Sequence, residues 1–358
     1  MTWIITIVVI LVISEAISYL ICRSNQDIKE ILKKALKMER KGDVSTLMYR
    51  YAEHPFLNFY PRPYYKNSYN QKIHNKFGFR ADDDFENIDN NLTVYCVGAS
   101  ATYCNFIEEN EKTWPCILEK RLKSEIGNDR IKVINGGCGA WTTLQSLTRF
   151  ASWVDMLKPK LVIVYDFKND FSVFANTNLP PSDVMPDYVN VMKPLRFDKL
   201  TTFLPWIAQY SYVAKVLYGN HVNSKYLNVR FHTFTLKEIP THEQVEERLN
   251  KVTDKELDLT ISRFKSFISI CAYRKINILF VGQKVIGGVF RSYVMRLNDK
   301  VKSLEDHDKG CYFYDFNRDG HDEKDLFFDN MHFTPRGAEV FAECVKEHIT
   351  KNVSILKA

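Results

Sequence analysis

No two of the eight cysteines stand at a metal-ligand spacing, and the nine histidines form no metal-spaced cluster. This speaks against a metal centre, and nothing in the sequence calls for a cofactor. An arginine-rich stripe and stacked-aromatic motifs are also missing, and the net charge of +6 is modest and spread along the chain. That excludes a nucleic-acid partner. Internal repeats and long disordered tracts are absent. Several cysteines sit inside apolar strand or helix patterns, as Cys96 does in Thr93–Val97 and Cys271 in Phe267–Ala272. They read as buried free thiols, not as a disulfide framework.

What the chain does have is enough apolar material for a sizeable core. Apolar residues make up 45% of it and charged ones 26%, the balance of a globular protein of one large domain or two ordinary ones. The amino-terminal stretch is a different material. From Trp3 to Cys22, all but Thr6, Ser14, Glu15 and Ser18 are apolar. About 20 residues of helix match the hydrocarbon thickness of a bilayer. The stretch has no Lys or Arg before it and no small-x-small site after it, which argues for an uncleaved single-pass anchor over a signal peptide. Residues 1–23 are therefore expected to be a transmembrane anchor. Arg23, Lys29, Lys33, Lys34, Lys37, Arg40 and Lys41 all follow it. Positive-inside logic favours a cytoplasmic globular part, but the short uncharged amino terminus leaves the membrane side open.

Residues 24–43 read as an amphipathic helix, and 50–90, aromatic and Asn-rich, as an extended strap; together 24–90 form a linker. From residue 91 to 358 a rhythm of strands and helices sets in. Leu92–Val97, Ile131–Ile134, Leu161–Tyr165, Ile276–Val281 and Cys311–Phe316 are short apolar runs expected to be buried strands. Helices are expected between them, including one that opens at Thr113 as N-cap, one over Thr142–Met156, one carrying Leu257, Ile261, Phe264, Ile268 and Cys271 on one face, and a closing helix from Pro335. Residues 171–240, with Pro180, Pro181, Pro186 and Pro194, interrupt the rhythm as an insertion. The pattern predicts an α/β fold, a parallel sheet covered by helices on both faces.

In such sheets reactive groups gather at the carboxyl ends of the strands. Ser100 lies three residues past Val97 on a Gly-Ala-Ser turn, where it can present either a nucleophilic hydroxyl or an ordinary helix cap. Asp329 and His332 stand three residues apart before the last helix. An imidazole base needs a carboxylate to fix its tautomer, and this spacing lets both side chains face one way. The plain alternative is a surface loop with Thr334 capping the helix. Asn169 offers a neutral amide donor for an oxyanion, while Asp170 could cap a helix. Asn135-Gly-Gly-Cys-Gly-Ala-Trp-Thr is a donor-rich turn that lacks the Lys-Ser/Thr of a phosphate loop. The acidic run Asn317–Asp325 has the wrong spacing for calcium and reads as a solvated loop. Trp141, Trp153 and Trp206 are either core residues or sugar platforms.

These segments, Val97-Gly-Ala-Ser, Asn135–Thr142, Lys168-Asn-Asp and Asp329-Asn-Met-His, resemble in order the four blocks of the SGNH (GDSL-type) hydrolases. The resemblance covers about 91–350. Upstream, His54–Pro61 and Asn75-Lys-Phe-Gly-Phe-Arg80 look like the lead-in of membrane-anchored bacterial members. The resemblance implies a flavodoxin-like three-layer α/β/α domain that hydrolyses esters, often acetyl groups on carbohydrate, without a metal. It makes Ser100 the nucleophile, His332 the base and Asp329 its orienting carboxylate. The Ser100 N–H, the Asn169 amide and an N–H from Gly139 or Ala140 would bind the oxyanion. Four positions depart from the pattern: Ala99 before the serine, Cys104 after it, Phe167 before Lys168-Asn169, and Ala140 where the oxyanion glycine falls. A backbone donor survives Gly→Ala there only if the turn needs no positive φ.

Three functions follow from these residues. The leading one is a membrane-anchored serine esterase or O-deacylase acting on an ester substrate, with a carbohydrate or envelope-glycan ester foremost. An O-acyltransferase would use the same serine, with the 171–240 insertion excluding water. A catalytically silent binding module would account for Ala99, Phe167 and Ala140. Oligomeric state is left open.

Overall fold

The computed structural model describes residues 10–20, 50–54, 56–67, 70–85, 88–166, 169–170, 211–213, 243, 247, 249–286, 290–318 and 325–353. Lys168, the helix expected over 24–43, most of the 171–240 insertion, Trp206 and residues 319–324 of the acidic run lie outside them. The chain divides into two units. In the smaller, Ile10–Leu20 is helical, and Glu15 accepts hydrogen bonds from Ser211 Oγ (2.9 Å), Val213 N (3.2 Å) and Tyr212 N. Three donors thus meet the one carboxylate of an otherwise apolar stretch. Among the described residues no helix is long and apolar enough to cross a membrane; the expected anchor extends past the described helix at both ends.

The larger unit is built on five parallel strands: β1 (Leu92–Gly98), β2 (Ile131–Asn135), β3 (Leu161–Tyr165), β4 (Asn277–Val281) and β5 (Cys311–Tyr314). Their spatial order is β2-β1-β3-β4-β5. The connections are α1 (Ser100–Tyr103), α2 (Trp114–Ile126), α3 (Thr143–Leu157), α4 (Asp254–Tyr273), α5 (Arg291–Lys302) and α6 (Pro335–Asn352). Because side chains alternate along a strand, each strand feeds two cores. Val94, Cys96, Leu161, Ile163, Leu279 and Val281 face Trp114, Leu118 and Leu122 of α2 and Phe341, Val345 and Ile349 of α6. Tyr95, Val97, Val162, Val164, Ile278 and Phe280 face Phe150 and Val154 of α3, Phe264 and Phe267 of α4, and Leu297 of α5. Burial on both faces explains why the strands read as unbroken apolar runs. The result is the expected three-layer α/β/α sandwich around a parallel sheet.

Local chemistry differs from expectation in places. Thr113 occupies the N-cap position of α2, but its hydroxyl donates backwards to Asn110 O (2.7 Å) and caps nothing in the helix. Thr334 does cap α6, accepting from Gly337 N at 3.0 Å. Helix α5 is an addition to the expected elements; Tyr293, Val294, Leu297 and Val301 recur at helical spacing and are all buried. All seven cysteines of the described residues are free, five of them buried. Trp141 is fully buried, which rules it out as an exposed sugar platform, and Trp153 packs against the core.

The order β2-β1-β3 reverses direction at β1, so the loops after β1 and β3 diverge and leave a crevice at the carboxyl ends. Ser100, Gly139, Ala140 and Asn169 follow strands of this sheet, and Asp329 and His332 lie on the segment before α6.

Candidate active site

Strand β1 ends at Gly98 for a steric reason. A Cβ there would lie 2.3 Å from both Thr102 Oγ1 and the Tyr165 carbonyl oxygen. The space is taken by a bond, since Thr102 Oγ1 donates to Tyr165 O at 2.8 Å and ties α1 to the end of β3. Ser100 is the first residue of α1, with Ala99 in the N-cap position. It is 6% exposed, enough for its Oγ to face the crevice. The turn after β2 comes close behind: Gly137 would place a Cβ 2.4 Å from Tyr103 N, and Cys138 N donates to Gly98 O at 3.1 Å.

The far end of α1 is held by a residue well upstream. Arg80, 5% exposed, donates to the carbonyls of Tyr103 (2.8 Å), Cys104 (2.7 Å), Ile107 (2.5 Å) and Glu108 (3.2 Å), and to Asn110 Oδ1 (3.1 Å). Cys104 leaves the helix in the left-handed region, φ +61°. The carbonyls freed by that sharp exit are those the guanidinium collects, a good match of a five-donor fork to helix-end acceptors. Its face also lies over the Tyr103 ring, 4.9 Å from the centroid. The Tyr103 hydroxyl in turn pairs with His74 Nε2 at 2.7 Å, while His74 Nδ1 meets Arg62 O at 2.9 Å. Arg80 and His74 were not singled out as site residues from the sequence. The signal was Asn75-Lys-Phe-Gly-Phe-Arg80, read as a lead-in without a role.

Asp329 and His332 arrive from the segment before α6. Asp329 Oδ1 accepts from Met331 N and His332 N, both at 2.8 Å, so the loop is closed on its own carboxylate. Oδ2 meets His332 Nδ1 at 2.6 Å, and His332 Nε2 lies 2.8 Å from Ser100 Oγ. A carboxylate can only accept, so the imidazole proton belongs on Nδ1 and Nε2 is left to accept from the serine hydroxyl. Burial pushes the Asp329 carboxyl up, but the His332 ring and the two backbone donors outweigh it and hold the pKa down at about 2. The loop is set in place by Thr334 N to Leu326 O (2.9 Å) and Ile286 N to Asn330 O (2.8 Å).

The remaining donors come from the loops after β2 and β3. Asn169 Nδ2 donates to Trp141 O at 2.8 Å. Its neighbour Asp170, fully buried, accepts from Thr143 N (2.8 Å), Thr143 Oγ1, Thr260 Oγ1 (3.0 Å) and Arg263 Nη1 (3.1 Å). Asp170 thereby caps α3 and, with Asn169, clamps the two loops together. Thr143, Thr260 and Arg263 escaped the sequence reading because their partner lies up to 93 residues away. Among the described residues, the N–H groups of Ser100, Gly139 and Ala140 make no internal hydrogen bond. Ala140 has φ +62°, so the turn does need a positive φ there and the alanine adopts it. This corrects the expectation that the donor survives only in a turn free of that demand: the N–H is available, at about 1–2 kcal/mol of backbone strain.

Two apolar side chains border the pair. Phe106 packs edge to face on the His332 ring at 4.9 Å, and Phe328 contacts Phe106 at 5.7 Å. Among the described residues no group of three or more His, Cys, Asp or Glu is arranged to hold a metal ion.

No family model and no curated protein matches the chain. Solved structures do, at low identity. An acetyl xylan esterase is 13% identical with a TM-score of 0.40, covering 72% of this chain and 99% of its own. A GDSL-like lipase from Bacteroides thetaiotaomicron is 13% identical with a TM-score of 0.39, over 73% of this chain and 88% of its own. The psychrotrophic esterase EstA from Pseudoalteromonas is 10% identical with a TM-score of 0.38, over 73% and 98%.

Proposed function

We propose that the chain is a serine ester hydrolase of the SGNH type, anchored to a membrane by Trp3–Cys22. The observation that carries the reading is the continuous relay Ser100 Oγ, His332 Nε2, His332 Nδ1, Asp329 Oδ2, with contacts of 2.8 and 2.6 Å. Hydroxyl, imidazole and carboxylate joined in this way are the parts an activated nucleophile requires.

Ser100 Oγ attacks the ester carbonyl carbon as His332 Nε2 takes its proton. The imidazolium is stabilised by Asp329, which remains ionised because its pKa is held at about 2. Negative charge collects on the former carbonyl oxygen, within reach of the Ser100 N–H, an N–H of Gly139 or Ala140, and the second N–H of the Asn169 amide. Collapse breaks the bond to the alcohol oxygen, which leaves with the proton from His332 Nε2. Water then attacks the acyl-serine, giving one proton to His332 and releasing the acid. The proton returns to Ser100 Oγ, and the net change is one water consumed per ester. Acetyl on a carbohydrate is the substrate favoured by the resemblance of the four sequence blocks.

Fluorophosphonate labelling with mass-spectrometric mapping tests the reading. Adduct is expected on Ser100, and Ser100→Ala should lower kcat on a simple acetate ester by about a million-fold. An active wild type whose Ser100→Ala and His332→Ala variants keep full activity would remove the proposal. Fractionation of the full chain into membranes, reversed by deletion of 3–22, tests the anchor separately.

A further inference from the structure

We propose that Phe106 and Phe328 form the subsite for the leaving alcohol, and that this subsite selects alcohols bearing a neutral ring. The inference rests on the hydrolase reading above. Tyr103, Trp141 and Tyr165, large aromatics at this end of the sheet, are fully buried. Phe106 is instead 53% exposed and Phe328 56%, although the two rings touch each other at 5.7 Å. Single exposed phenylalanines are ordinary, but a joined pair beside a reactive crevice marks a binding surface.

The position of the pair fixes which half of the ester it meets. The leaving oxygen must come within hydrogen-bond reach of His332 Nε2 to take its proton. Phe106 lies against that imidazole at 4.9 Å, so the first group beyond the leaving oxygen meets the phenylalanine pair. Neither phenylalanine belongs to the loops that carry Gly139, Ala140 and Asn169.

Charge narrows the choice of alcohol. Segments 105–111 and 325–332, which present the two rings, carry Glu108, Glu109, Glu111, Asp325 and Asp329 and no Lys or Arg. Glu109 is paired with Lys112 at 2.8 Å and Asp329 with His332 at 2.6 Å; among the described residues Glu108, Glu111 and Asp325 have no cation within 4 Å. An alcohol bearing carboxylate or phosphate meets repulsion here, whereas a neutral ring can stack or lay its C–H edges on the phenyl faces. Sugars and aryl alcohols share that chemistry.

The experiment compares kcat/KM for ethyl acetate, phenyl acetate, methyl 6-O-acetylglucoside and 4-acetoxybenzoate, in wild type, Phe328→Ala and Phe328→Trp. The Phe328 ring reaches His332 only through Phe106, so this variant spares the imidazole's own contact. In Phe328→Ala the preference for a neutral ring ester over ethyl acetate should fall about tenfold. Phe328→Trp should retain it, and wild type should discriminate against 4-acetoxybenzoate relative to phenyl acetate. Whether the glucoside or the phenyl ester loses more identifies the natural source of the ring. Equal losses on all esters, or none, overturn the subsite. If Ser100 is labelled by fluorophosphonate in that case, the hydrolase reading stands alone; if wild type is never labelled, both fall.

Discussion

The segment of the proposed nucleophile, 98–110, and the segment of the proposed base, 325–334, meet at the Ser100–His332 hydrogen bond and are held by opposite means. The first is buried apart from Phe106 and its neighbours at 105, 108 and 109, and depends on distant partners: Thr102 on Tyr165, Tyr103 on His74, and four carbonyls on Arg80. The second is more exposed, with the Asp329 side chain 43% accessible, and largely closes on itself through Asp329. The proposed nucleophile is thus placed by the tertiary structure and the proposed base largely by its own short turn. Damage to the first should spread mainly into stability, whereas damage to the second should fall mainly on chemistry.

The largest effect expected from this contrast belongs to Asp329→Asn. An amide can present its N–H to Nδ1 and favour the wrong tautomer, so kcat should fall by about 10⁴-fold, with a measurable loss of thermal stability at neutral pH from the missing carboxylate. The sign of the pH dependence follows from the lowered pKa. The carboxylate of the folded protein stays charged until about pH 2, against an ordinary value of 3.8. Its stabilising contribution is complete above the ordinary value and disappears as pH falls through about 2. Unfolding curves of wild type and variant should therefore converge as pH falls from 4 to 2. A gap that persists or widens there would contradict the assignment.

Arg80→Met sits next and tests the other segment. It leaves buried carbonyls at 103, 104, 107 and 108 without their donor, so a loss of about 3–5 kcal/mol in chemical denaturation is expected. Ser100 labelling by fluorophosphonate should slow in the fraction that remains folded. Full labelling rate at native stability would show that the nucleophile segment is as self-contained as the base segment.

The smallest effect is expected at Ala140→Gly. Relief of the left-handed backbone is largely offset by the greater freedom of an unfolded glycine, for a net gain within about 1 kcal/mol. Activity should hold or rise, because the N–H keeps its place. A sharp drop would mean that the alanine methyl itself shapes the turn.

The same contrast explains what could be read in the sequence. Asp329 and His332 were legible because their contact spans three residues and needs no fold to bring it about. Ser100 and Asn169 were legible from their place after apolar strands, since parallel sheets gather chemistry at those ends. The three-layer fold followed from unbroken apolar runs alternating with amphipathic stretches. The Arg80 fork, the His74–Tyr103 pair and the Asp170–Arg263 clamp were not legible. Their partners are backbone carbonyls or residues many positions away, and an arginine in a strap looks the same whether it is solvated or buried. The positive φ at Ala140 was hidden for a related reason, since alanine gives no hint of the left-handed region that glycine would have announced.

Arg80 precedes the first strand of the central sheet, which begins at Leu92. A chain trimmed to start at residue 91 would keep all five strands, the serine, the histidine and both donor loops, and so every residue of the proposed site. It would nevertheless have discarded the cation that gathers the carbonyls behind the nucleophile. The boundary that matters for the proposed site lies upstream of the boundary that the sheet draws.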